Sequence, residues 1–157
     1  MCILQVGILW RLCKTFLFQK KVGVFVWRAK RERLPVFVEF DKRGIDLNSV
    51  LCPLCNDYVE TVKHSIIECE HALSIWRKVL AWWGFGSVNL SFRNLLCGSC
   101  PIQCSDVGSK IWQAVEWTCC YQIWKNRNQK VFKKASWSPP IALSEIQVKS
   151  YEWIAKR

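Results

Sequence analysis

Four residues near the middle of the chain have the types and the spacing that hold a metal ion. Cys52-Pro53-Leu54-Cys55 is a C-x2-C pair, and His64 and Cys69 follow to give C-x2-C-x8-H-x4-C. Two cysteines so spaced turn a tight knuckle and aim both sulfurs at one point. His64 and Cys69 can come from one helical turn and its end. A closed set of four soft N and S ligands is what a structural zinc needs, and no carboxylate or open water position suggests a catalytic one. Three thiolates and a neutral imidazole would leave the Zn2+ site with one net negative charge. Its formation energy would also be folding energy, about 10–16 kcal/mol in small zinc peptides. The bland alternative is two buried thiols and an ordinary helix histidine; four ligand types at a compatible spacing favour zinc. His71 is a rival fourth ligand, but a Cys69-x-His71 pair needs an awkward turn. Cys97, Cys100 and Cys104 form a second group, C-x2-C-x3-C, to which Cys119 or Cys120 could add a ligand. No histidine stands near it, so free thiols in a connector are the better reading.

The elements that must position these ligands read as helices. Lys20 to Arg33 is basic and helical, with Val22, Phe25, Val26 and the Trp27–Ala29 region as its apolar residues at helical spacing, and Pro35 ends it because the residue before a proline disfavours helix. Val36 to Lys42 fits a second short helix with Gly44 as its C-cap. Ser65 to Cys69 fits one helical turn. Ala72 to Trp83 is a helix with Ala72, Ile75, Trp76, Val79, Leu80 and Trp83 on one stripe, stopped by Gly84 and Gly86. Phe92 to Leu96 is a short apolar segment within a looser connector. Asp106 or Ser109 caps a long helix from about Ser109 to Lys134, with Ile111, Val115, Thr118, Cys119 and Ile123 as its apolar stripe. Ser138-Pro139-Pro140 opens a last helix that carries Leu143, Ile146, Ser150 and Trp153. The expected fold is mainly α, a helical domain built around a small structural zinc knuckle. The expected organisation is an unassigned apolar segment 1–19, a zinc-binding domain 20–83, a connector 84–108 and a helical region 109–157.

Composition narrows the function. The 157 residues are 51% hydrophobic and 22% charged, with 10 Trp and 8 Phe, which excludes disorder by composition. Lys and Arg number 23 against 12 acids, a net charge of +11, which suits a polyanionic partner. The 10 cysteines require either an oxidising or a reducing compartment. Arg11 and Lys14 interrupt the apolar opening run, no small-residue cleavage site follows, and the run is too short and too charged to span a bilayer. An intracellular protein with reduced thiols is expected, in nucleus or cytoplasm, with no membrane association. Asp41, Asp46, Asp57 and Asp106 are never adjacent, so two-metal phosphoryl transfer has no carboxylate cluster. Neither a phosphate-cradling P-loop nor a G-x-S-x-G elbow is present, and no small-molecule substrate is expected.

From Lys21 to Trp76 the chain resembles the zinc-binding domain that lies downstream of the reverse transcriptase in plant LINE-type (non-LTR) retrotransposons. Lys21-Val22, Phe25 and Trp27-Arg28 are similar to that family's K-V-x-x-F-x-W-R run. Arg33-Leu34-Pro35 and Arg43-Gly44-Ile45 match R-L-P and R-G-I. Cys52-Pro53-Leu54-Cys55, Glu60-Thr61, His64, Cys69 and Trp76 match the core C-P-x-C…E-T…H…C…W. The run from Ile123 to Phe132 is similar to the helix that commonly follows. The proline usual ahead of K-V is absent, and Val36 stands where Thr is usual after R-L-P. The resemblance implies a non-catalytic fragment of an element's polyprotein whose RNA-directed DNA polymerase lies upstream.

Two functions compete. One is a zinc-stabilised module that binds nucleic acid, RNA or DNA. Its phosphate contacts would come from Lys20, Lys21, Arg28, Lys30, Arg31 and Arg33, and from Lys125, Arg127, Lys130, Lys133 and Lys134. The other is a structural or interaction module that braces the reverse transcriptase domain. For the Trp residues, core packing is favoured over base stacking, because several fall on helical apolar stripes.

Overall fold

The element order follows from where apolar residues recur at helical spacing and where the chain must turn. In a computed structural model, which describes residues 20–86, 88, 90–97, 105–133 and 139–155, helix dominates and no strand forms among the described residues. The segment Met1–Gln19, Cys100, Cys104, Lys134 and Ser138 lie outside them, as does the side chain of Lys20.

Helix α1 spans Lys20–Lys30 and buries Val22, Phe25, Val26 and Ala29 along one face. It ends at Lys30, and Glu32, at φ 52°, turns the chain away ahead of Pro35. Helix α2 is the short Phe37–Asp41, closed by Gly44 at φ 74° with Ile45 N–H donating to Phe40 O. A glycine adopts that left-handed conformation at no steric cost. A π-helical turn, His64–Glu68, leads into α3, Glu70–Trp82. Gly84, at φ 70°, stops α3, as the sequence predicts.

Helix α4 is Phe92–Cys97, and α5 runs over 28 residues, Asp106–Lys133. Its N-cap is Ser105 rather than Asp106 or Ser109: the Ser105 hydroxyl accepts from Gly108 N–H, and Asp106 is the first helical residue, where an acid suits the helix dipole. Helix α6 is Pro139–Ala155.

α5 is the central element, packed against α1, the π turn, α3, α4 and α6. That explains why its buried residues, from Trp112 through Glu116 and Cys120 to Arg127, are not confined to one stripe. One core joins Phe25, Ile66, Trp76, Ile75, Leu95, Trp112, Ile123 and Ile146. Among the described residues no helix is long and apolar enough to cross a membrane.

Candidate metal centre

The knuckle is built by local backbone chemistry. Leu51 and Val59 form an isolated antiparallel bridge, flanked by Cys52 N–H to Tyr58 O and Glu60 N–H to Val50 O. Inside it the chain reverses through Cys52–Asn56. Asn56 N–H returns to Cys52 O at 2.8 Å, and Asn56 takes φ 60°, which asparagine tolerates better than most residues. The backbone N–H groups of Leu54 and Cys55 thereby point at the Cys52 sulfur.

The other two ligands come from the π turn. Thr61 Oγ1 accepts from His64 N–H at 3.0 Å and fixes the start of that turn. Cys69 N–H bonds to His64 O at 2.8 Å, a five-residue closure. The sequence predicts an ordinary helical turn here. A ligand spacing of five residues is met instead by the wider π geometry, a frequent device at functional sites. Trp76 on α3 donates its indole N–H to Ile66 O at 2.9 Å and locks the turn from behind. Cys69 is the N-cap residue of α3, which places the N–H groups of His71 and Ala72 near its sulfur.

The structure brings Cys52, Cys55, His64 and Cys69 together, their ligand atoms all within 4.8 Å of one another. Cys52 Sγ lies 3.9 Å from Cys69 Sγ, and Cys55 Sγ lies 3.4 Å from His64 Nε2. Zn–S bonds of about 2.3 Å and Zn–N bonds of about 2.0 Å, set tetrahedrally, give edges of roughly 3.5–3.8 Å. The two closest approaches match such edges, and the remaining ligand pairs lie within 4.8 Å, so the four residues fit a zinc ion. Burial pushes the His64 imidazole below its ordinary value, so the ring is neutral and ready to ligate at neutral pH. Without metal, Cys52 keeps its proton: it donates to the Cys69 sulfur, and burial opposes a second thiolate. The Cys69 thiol is lowered by the hydrogen bond from Cys52 and, to a lesser degree, by the nearby N–H groups of His71 and Ala72. Ligation requires the thiolate form of each cysteine, so metal binding releases protons from the cluster.

His71 is not part of the cluster. The second cysteine group forms no cluster among the described residues. Cys119 and Cys120 are wholly buried on α5, and burial pushes both thiols up.

Residues 5–76 match the family model for zinc-binding in reverse transcriptase. The match covers a little under half of the chain and takes in all four ligands. It starts fifteen residues ahead of Lys20, inside the apolar segment 1–19. It supports a reverse-transcriptase zinc-binding domain there, and the Cys3His cluster fits that domain's name. No curated protein and no solved structure matches the chain.

Just behind the four candidate ligands lies a polar cluster that sequence reasoning missed. Glu60, fully buried, receives Arg127 Nε on Oε1 and Nη2 on Oε2, each at 2.6 Å. It also accepts Phe37 N–H at 2.7 Å and Ser65 Oγ–H at 3.3 Å. The Arg127 guanidinium lies 4.9 Å from the ring centroids of both Phe37 and Trp124. The pair ties α5 to α2 and to the π turn.

This corrects one predicted nucleic-acid contact. Arg127 is 1% exposed and held by Glu60, so it cannot reach a phosphate. Its place on the Ile123–Trp124–Arg127 stripe is the signal that could have shown this. Lys125 is half-buried and paired with Glu145 at 3.3 Å. Lys130 and Lys133 are exposed. On the first helix, Lys21, Arg28, Arg31 and Arg33 are exposed, while Lys30 is half-buried with its ammonium 5.5 Å from the Trp117 ring centroid.

Proposed function

We propose that the chain is the zinc-bound, non-catalytic module of a retrotransposon reverse transcriptase of the plant LINE type, and that it binds nucleic acid through the solvent face of α1. One observation carries the reading. Lys21, Arg28, Arg31 and Arg33 are all exposed on or just past α1, whose other face is anchored by Phe25, Val26 and Ala29 in the core. Cations fixed on a rigid element contact phosphates at a smaller entropic cost than cations on a loop. Joined to an RNA-templated polymerase inside the cell, in nucleus or cytoplasm, such a face would hold RNA near the enzyme. A closed four-ligand zinc leaves no position for an activated water, which supports a structural role.

Titration of the zinc-loaded chain with single-stranded RNA tests this. If the four cations each meet a phosphate, log K falls with log salt at a slope of about −3. Salt-insensitive binding, or none at low salt, would make the charge a solubility feature. The second reading, a brace for the reverse transcriptase domain, draws on the open groove lined by Ile67, Leu73, Trp76, Leu80 and Phe92, and would then take first place.

A further inference from the structure

We propose that Trp27 and Arg31 form a stacking platform for an unpaired base of single-stranded RNA, with Lys21, Arg28 and Arg33 placed for the flanking phosphates. The proposal rests on the nucleic-acid reading of α1 and assigns that face a base-contacting centre.

Trp27 is 43% exposed, although its neighbours Phe25 and Val26 are buried on the same helix. Trp76, Trp112, Trp117 and Trp124 are all in the core. Trp82 is as exposed as Trp27, but it packs edge-on against Trp83, which in turn meets Phe85 and Trp112. Trp82 is therefore the outer end of an aromatic stack rooted in the core. Trp27 has a different companion: the Arg31 guanidinium lies 4.6 Å from its ring centroid. A planar cation held on an indole is an ordered surface for a nucleobase, which stacks on either partner.

The surroundings fit an anion that carries bases. Lys21, Val24, Trp27, Arg28 and Arg31 recur three and four apart and share one exposed face. Between residues 20 and 38 the single acid is Glu32, and among the described residues none of Lys21, Arg28, Arg31 and Arg33 has an acidic partner within ion-pair distance. A duplex hides its base faces and meets such a surface through phosphates alone. A single strand can also place a base on the tryptophan. The phosphate contacts would carry the salt dependence and the stack would not.

The test is fluorescence anisotropy of a dye-labelled oligouridine with the full zinc-loaded chain across a salt series, each variant first checked for zinc content. Trp27→Ala should weaken binding by about 5- to 150-fold, the range for one lost base stack, with an unchanged salt slope. Trp27→Leu, which keeps apolar bulk and loses the ring, should lose as much, and Trp27→Phe should retain most of the affinity. Arg28→Ala should flatten the slope by about 0.7. Duplex RNA should not distinguish Trp27→Ala from the parent. If the parent binds and Trp27→Leu or Trp27→Ala binds within about two-fold of it, the platform is overturned and the phosphate reading stands. If the parent binds no RNA even at low salt, both fail. Single-stranded DNA binding about ten-fold tighter than RNA would overturn the assignment to RNA.

Discussion

Two polar clusters hold the segment from Cys52 to Cys69 in place, and they work in opposite ways. The zinc ligands gather residues no more than 17 positions apart, through a reversed loop and one π turn. The Glu60–Arg127 pair spans 67 positions and joins that segment to α5 and α2. The first cluster needs an ion from outside to balance its thiolates; the second carries its own countercharge. A ligand set is thus a local fold, whereas the buried ion pair attaches that local fold to the rest of the protein.

The largest effect should come from the metal cluster. Cys55→Ser, or a strong chelator, removes a stabilisation of about 10 kcal/mol by analogy with small zinc peptides. The region around residues 50–69 should then lose protection from amide exchange. Survival of that protection would mean that the core, not the ion, folds the knuckle.

Breaking the buried pair should cost less but act further away. Arg127→Met leaves the Glu60 carboxylate buried without a cation, a loss of about 3–5 kcal/mol measurable by urea unfolding. Adding Glu60→Gln should recover part of it, since the charge is then gone. The zinc should stay in both variants. Loss of zinc from Arg127→Met would erase the distinction between the two clusters.

A third buried acid sharpens the contrast. Glu116 on α5 is 1% exposed, with no hydrogen-bond partner for Oε2, and burial pushes its carboxyl up to about 9. With a folded value above the unfolded one, the protonated acid contributes stability at low pH that is lost as pH rises toward 9. Glu116→Gln should therefore gain on the parent between pH 6 and pH 9, by at most about 1.4 kcal/mol per pH unit, read from thermal melts. A constant difference across that range would show that Glu116 does not titrate with folding.

What the sequence made legible follows the same division. The C-x2-C-x8-H-x4-C spacing, the Gly84 stop and the Trp76 position are local signals, and the structure places each where its period or spacing says. The role of Glu60 was out of reach, because nothing in Glu60-Thr61 says which cation 67 residues away will meet it. Arg127 was misread for a related reason. Among Lys125, Lys130 and Lys133 it reads as one more surface cation, although the spacing from Ile123 and Trp124 turns it inward. The π turn was missed because helical periodicity cannot distinguish five residues per closure from four over so short a stretch.

The central claim is that Cys52, Cys55, His64 and Cys69 hold one zinc. Elemental analysis of the chain after gentle purification under reducing conditions tests it most directly, with His64→Ala and His71→Ala measured alongside. One zinc per chain is expected for the parent and for His71→Ala, and a large loss for His64→Ala. Well under one zinc in the parent, or loss from His71→Ala with retention in His64→Ala, would contradict it.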